Sequence, residues 1–218
     1  GQPRGHARRD PPGRADAPGV SAAAFLQSPG LRATIAGLVA IVLWSSLPLL
    51  IVKSGRVPPL QLTAMCFTIS FAAALLAWRA QGLSPKARLG LPAAAWALGV
   101  FGFFGSHALY FFALSTVPPL AANLLNYSWP LLIVLGSTLL PAEQGGGKLG
   151  SRHLIGALLG LSGALLVLGG NLDVLREGNG LGLLAAFGAA VIWAIYSVAA
   201  RLFAAVPSDA VGGYCGAT

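Results

Sequence analysis

Few side chains in this sequence carry chemistry, and those that do gather inside apolar runs. The densest group is Asn123-Leu124-Leu125-Asn126-Tyr127-Ser128-Trp129-Pro130, in the middle of an apolar run over about 119–139. Two carboxamides, a phenol, a hydroxyl and an indole offer hydrogen bonds and stacking faces, and Pro130 interrupts the helix beside them. Polar groups in hydrocarbon are costly unless they find partners or line a cavity. The chemistry is that of a wall that binds a small amphipathic molecule, and the segment is expected to line a substrate pathway.

His107 and Tyr110 form a second pair, three residues apart and so on one helical face. At 1.5 Å of rise per residue, His107 falls about 6 Å and Tyr127 about 3 Å beyond the centre of their runs, on the same side. His107, Tyr110, Tyr127 and Trp129 can therefore share one pocket. Trp44, Trp129 and Trp193 each fall near the middle of a run, whereas tryptophan prefers the membrane interface. A lined cavity explains them; plain packing of three indoles between helices is the alternative. A lone intramembrane histidine is likewise often a hydrogen-bonded packing residue. Asn123, Asn126 and His107 would supply hydrogen bonds, and the rings would stack on the substrate. Pro130 and Pro48 cannot donate to the carbonyls of Asn126 and Trp44, which frees an acceptor beside each tryptophan.

The elements that hold these groups are membrane helices. The 218 residues are 56% hydrophobic and 9% charged, with a mean hydropathy of +0.74. A soluble domain carries about 25% charged residues, so this chain cannot cover itself with a hydrated surface. Six runs approach the ~20 residues needed to cross a bilayer: about 33–52, 60–78, 93–114, 119–139, 154–170 and 181–204. Short connections make them antiparallel neighbours. Residues 1–30, rich in Arg, Pro, Gly, Asp and Ala, read as a disordered tail without the pattern of a signal peptide. The expected fold is all-α: a polytopic bundle of six transmembrane helices, with the start of a seventh over 209–218.

The net charge of +8 follows topology rather than a nucleic-acid partner. Arg4, Arg8, Arg9, Arg14, Arg32, Arg79, Lys86, Arg88, Lys148, Arg152 and Arg201 fall on one side, and Lys53, Arg56 and Arg176 on the other. Eleven cations against three put the N-terminus in the cytoplasm, with Trp78 and Trp96 as interfacial belt residues. Leu43-Trp44-Ser45, followed by Lys53, and Ile192-Trp193-Ala194, followed by Arg201, lie 149 residues apart, in the first and sixth spans. Copies that cross the membrane in opposite directions are a transporter signature.

Other motifs carry less. Cys66 and Cys215 have neither a metal-ligand nor a disulfide-framework spacing. No metal, cofactor or catalytic residue is expected. Gly99, Gly102 and Gly105, and Gly156, Gly160 and Gly163, are expected packing seams. Gly160-Leu161-Ser162-Gly163 matches the nucleophile motif of rhomboid intramembrane proteases, but such a serine needs a histidine base on a later helix, and none follows His153. A non-transporting membrane subunit is a third reading. With no acidic residue inside a span, coupling is left to a proton carried by His107 or to uncoupled facilitation.

The run Asn126-Tyr127-Ser128-Trp129-Pro130-Leu131-Leu132-Ile133-Val134, then His153-Leu154-Ile155-Gly156-Ala157, resembles the EamA family of the drug/metabolite transporter superfamily. Within it, the sequence looks most like the aromatic amino acid exporters of the YddG type. Gly188 to Ser197 fits the same group, and the resemblance covers about 33–204. It implies a ten-helix inner-membrane protein of two inverted five-helix halves, with cytoplasmic termini, that exports amino acids or similar metabolites by alternating access. The first repeat would occupy 31–170 and the start of the second 171–218. Carried over by motif, the cavity residues are His107, Tyr110, Tyr127, Trp129 and Trp193. Ser106 stands where some relatives have an aromatic, which bears on substrate choice. Asn123, Asn126 and Trp44 complete the expected substrate-binding set. The implied partners are a small-molecule substrate and the lipid bilayer; oligomeric state is left open. Four spans of such a fold are missing from this chain, which reads as a fragment or truncated product.

Overall fold

The computed structural model describes residues 29–55, 57–144, 146–147, 150–167 and 179–218. Of the tail expected over 1–30, residues 1–28 lie outside the described residues, as do Arg56, Lys148, Arg176 and the end of the fifth expected span, whereas Pro29 and Gly30 are already helical. The chain divides into two compact units, 1–46 and 47–218.

The first unit holds most of helix α1 (Pro29–Lys53). Its large side chains, from Ile35 to Leu43, are exposed, as a helix in hydrocarbon requires. Thr34, Ser45 and Ser46 turn their hydroxyls back to donate to the carbonyls of Gly30, Ile41 and Leu43 at 2.9, 2.6 and 2.7 Å, so these hydroxyls need nothing from lipid.

The second unit contains α2 (Pro59–Ala80), α3 (Pro85–Leu89), α4 (Ala93–Thr116), α5 (Pro119–Asn126), α6 (Trp129–Ser137), α7 (Ser151–Val167), α8 (Gly180–Ala199) and α9 (Val211–Ala217). No strand occurs among the described residues. Prolines open α2, α3 and α5, where a missing N–H costs nothing. Asn179 caps α8, its side-chain oxygen accepting from the Leu181 N–H at 2.9 Å.

Five helices are long and apolar enough to cross a membrane: Ala33–Lys53, Pro59–Ala80, Ala93–Thr116, Pro119–Ser137 and Gly180–Phe203. The fifth expected span appears as α7, described over 17 residues. The fourth departs from a kinked single helix. It breaks at Tyr127 and Ser128 into α5 and α6. Pro130 has no N–H to give the Asn126 carbonyl, and the Ser128 hydroxyl donates to the Leu125 carbonyl at 2.7 Å.

The core lies where α4 meets α8. On α8 the buried positions are Gly182, Ala185, Ala186, Ala189, Ala190 and Ala194, a stripe with the helical period. Side chains this small let the two backbones approach closely. The approach is tightest at Gly182, where an added Cβ would run into Thr116 and Val117. Tyr110, Phe111 and Leu114 of α4 fill the remaining space. Helix α9 packs on α2 and α4, and it buries Trp78, whose ring lies against Gly212. Trp78 is therefore covered by protein.

Candidate functional site

His107 is the centre of the aromatic group between α4 and α8. Its Nδ1 lies 2.8 Å from the Phe103 carbonyl oxygen. A carbonyl only accepts, so Nδ1 carries the proton and Nε2 is left as the basic nitrogen of the neutral ring. Ser106 sits beside it, its hydroxyl donating to the Gly102 carbonyl at 2.5 Å and lying 3.3 Å from Nδ1. Four rings surround the imidazole: Phe103 stacked at 6.0 Å, and Phe67, Phe111 and Trp193 edge-on at 5.2, 6.1 and 6.1 Å. Trp193 also meets Phe103 at 5.5 Å and Tyr196 at 5.3 Å. One polar nitrogen within a box of π faces suits a ligand with an aromatic body and a polar end.

One helical turn along α4, the buried Tyr110 donates its hydroxyl to Asn123 Oδ1 at 2.6 Å. The Asn123 amide nitrogen donates in turn to the Pro119 carbonyl at 2.8 Å. The pair braces the start of α5 against α4. Phe111 links it to the histidine, since its ring lies 6.5 Å from Tyr110 and 6.1 Å from His107. His107, Tyr110, Asn123 and Trp193 thus form one connected group.

The other expected residues are placed differently. Tyr127 is 51% exposed and lines a cavity of about 590 Å³ between α5, α6 and α7, with Ser128, Arg152 and His153 on its wall. Asn126 ends α5 and Trp129 begins α6; both are half-buried. Trp44 is 47% exposed in the first unit. Sequence reasoning missed Phe103, Tyr196 and Tyr214. A signal existed for two of them: Phe103 stands four residues before His107, and Tyr196 three after Trp193, the spacings that share a helical face.

The seam glycines of α4 are occupied. An added Cβ at Gly99 would strike the Tyr214 ring, at Gly102 the Tyr196 ring, and at Gly105 it would lie 3.1 Å from Ile192. Those of α7 differ: no neighbour lies within 4 Å of a Cβ built at Gly156, Gly160 or Gly163.

A family model described as the EamA-like transporter family matches residues 31–169. The chain belongs to that family. It is 45% identical over 192 residues to an aromatic amino acid exporter YddG of Ancylobacter novellus, a match that takes in 85% of this chain and 64% of that relative. A protein of known crystal structure, 44% identical, superposes with a TM-score of 0.68 over 84% of this chain and 62% of its own. The chain spans somewhat less than two thirds of the length of either relative. Membership agrees with the five apolar helices in making it a multi-pass membrane protein. The rhomboid reading is not favoured. Ser162 and His153 share α7 nine residues apart, about 13 Å of helical rise, too far for a base to take the hydroxyl proton.

Proposed function

We propose that this chain is the larger part of an inner-membrane exporter of aromatic amino acids or similar small metabolites, working by alternating access. The observation that carries the reading is the contact of His107 on α4 with Trp193 on α8, inside a box of aromatic rings. The relative's name supplies the cargo class. Stacking on Trp193 and Phe103 would hold an indole or phenyl ring, and His107 Nε2 would hydrogen-bond the polar end. Tyr110 and Asn123 act as braces of this site. Tyr127, Trp129 and Asn126 form a facing wall.

The full architecture in this proposal has ten helices in two inverted halves. Residues 31–170 are the first repeat, and 171–218 open the second, with α7 as the fifth crossing helix, α8 as the sixth and α9 as the start of a seventh. The excess of cations on one side supports a cytoplasmic N-terminus.

The test is transport of radiolabelled tryptophan and phenylalanine by proteoliposomes containing the protein expressed from its full reading frame. Saturable transport that is lost in a folded Trp129→Ala variant is expected. Intact, folded protein that moves neither amino acid would refute the cargo assignment, and an absence of any substrate binding would favour a non-transporting subunit.

A further inference from the structure

At the end of the bundle that carries α3 and the α8–α9 connection lies a cavity of about 200 Å³. Ala95 and Leu98 of α4, Ser208, and the rings of Tyr196 and Tyr214 line it. That volume is roughly the share of six or seven waters in the liquid, so it is a vestibule rather than a packing defect. Its floor is aromatic. Phe103 contacts Tyr196 at 5.2 Å and Tyr214 at 6.0 Å on the vestibule side. It also contacts Trp193 at 5.5 Å and His107 at 6.0 Å, the two residues at the heart of the proposed site.

Both tyrosines are seated deliberately. Each ring lies where a Cβ would stand on Gly99 or Gly102, so only glycine at those positions lets the rings reach the α4 backbone. Tyr214 is held on its other side by Trp96, edge-on at 5.6 Å, whose indole N–H donates to the Leu89 carbonyl at 3.2 Å. The rim is tied by Arg88 of α3 to Asp209, at 3.2 Å, just before α9. Both charges are partly exposed, and such a pair is weak enough to open and reform.

We propose that Phe103, Tyr196 and Tyr214 form an aromatic partition that separates this vestibule from the His107–Trp193 site, and that Tyr214 leaves its Gly99 socket with α9 to open it. The inference rests on the proposed function in taking the His107–Trp193 site to lie on an alternating-access pathway. Alternating access requires such a closure, because a route open at both ends is a pore. The partition also selects: a molecule in the vestibule meets three π faces before it meets the histidine.

The experiment measures access and needs no substrate. In the protein expressed from its full reading frame, with Cys66→Ala and Cys215→Ala, one cysteine is introduced by Ser106→Cys, beyond the partition, or by Ser208→Cys, in the vestibule. A membrane-impermeant methanethiosulfonate reagent is applied from the face that carries Arg88 and Asp209. The Ser208→Cys variant is expected to react fast and the Ser106→Cys variant slowly. An open state that is a minor one, roughly 0.1–10% populated, implies that Tyr214→Leu speeds the slow reaction about tenfold or more. Tyr214→Phe, which keeps the ring, should leave it unchanged. Should Tyr214→Leu fail to fold, Gly99→Ala displaces the same ring and is expected to act alike. Equal rates at the two positions with Tyr214 present would overturn the proposal, as would an unchanged slow rate in the variants that remove or displace the ring. Failure of the same protein to transport amino acids would sink the cargo assignment and leave the partition untouched.

Discussion

Tyr110 and Asn123 are the sharpest place to separate a structural from a substrate-contacting role. Tyr110→Phe removes one oxygen and leaves the ring in its buried place. The atom that loses a donor is Asn123 Oδ1, 2.6 Å away on α5. A buried acceptor left unpaired costs about 1–3 kcal/mol in a water-soluble protein. Interhelical hydrogen bonds in membranes measure less, averaging about 0.6 and reaching about 1.7 kcal/mol, because the unfolded chain in lipid also finds partners. Asn123 is only half-buried, so water recovers part of the loss. The expected destabilisation is about 1 kcal/mol, and a double-mutant cycle with Asn123→Ala should return a coupling of about 0.6–1.5 kcal/mol. Reversible unfolding in mixed micelles of rising SDS fraction, followed by tryptophan fluorescence, measures it. A coupling below about 0.3 kcal/mol would refute the brace, since the pair would then be independent within ordinary additivity. Tryptophan binding by Tyr110→Phe should stay within about threefold of the parent. A loss beyond about tenfold, or ~1.4 kcal/mol, would mean that the phenol meets the substrate itself.

Three further outcomes follow from the geometry. Trp193→Ala removes ring contacts with Phe103, His107 and Tyr196; at about 0.5–1.5 kcal/mol per aromatic pair, tryptophan affinity by calorimetry should fall at least about tenfold, with Trp193→Phe recovering much of it. Gly182→Ala places a methyl group against Thr116 and Val117; overpacking there should cost about 1–3 kcal/mol in the same unfolding assay. Arg88→Gln should cost about 0.2–1 kcal/mol, less in high salt, because the pair with Asp209 is partly solvated; the swap Arg88→Asp with Asp209→Arg should restore most of it.

The membrane helices were legible because length and apolarity are local properties, and five of the six expected runs are helices long and apolar enough to cross a membrane. The broken fourth run was half legible. Pro130 announced an interruption, but not that the break would fall at Tyr127 and Ser128. Partnership between helices was not legible. The alanines of α8 differ little in sequence from those of any lipid-facing helix, and only packing reveals that Ala186 and Ala190 face α4 while Leu184 and Phe187 face out. For the same reason Tyr110 and Asn123 read as two groups free to bind a substrate, although each is engaged with the other. The α4 glycines read as a generic seam; that two of them are sockets for single tyrosine rings depends on residues about a hundred positions later in the chain.

Those sockets bear on how the protein is made. Gly99 and Gly102 enter the membrane with α4, but Tyr214 and Tyr196 follow 115 and 94 residues later. At about 5–20 residues per second of synthesis, the two notches stand empty for roughly 5–25 s. During that interval acyl chains are the available filler, and they must be expelled as α8 and α9 dock. Assembly from the nascent chain is thus a displacement reaction at α4. Substitutions at Gly99 or Gly102 should therefore slow insertion and raise the degradation of newly made chains, beside displacing the rings in the finished protein.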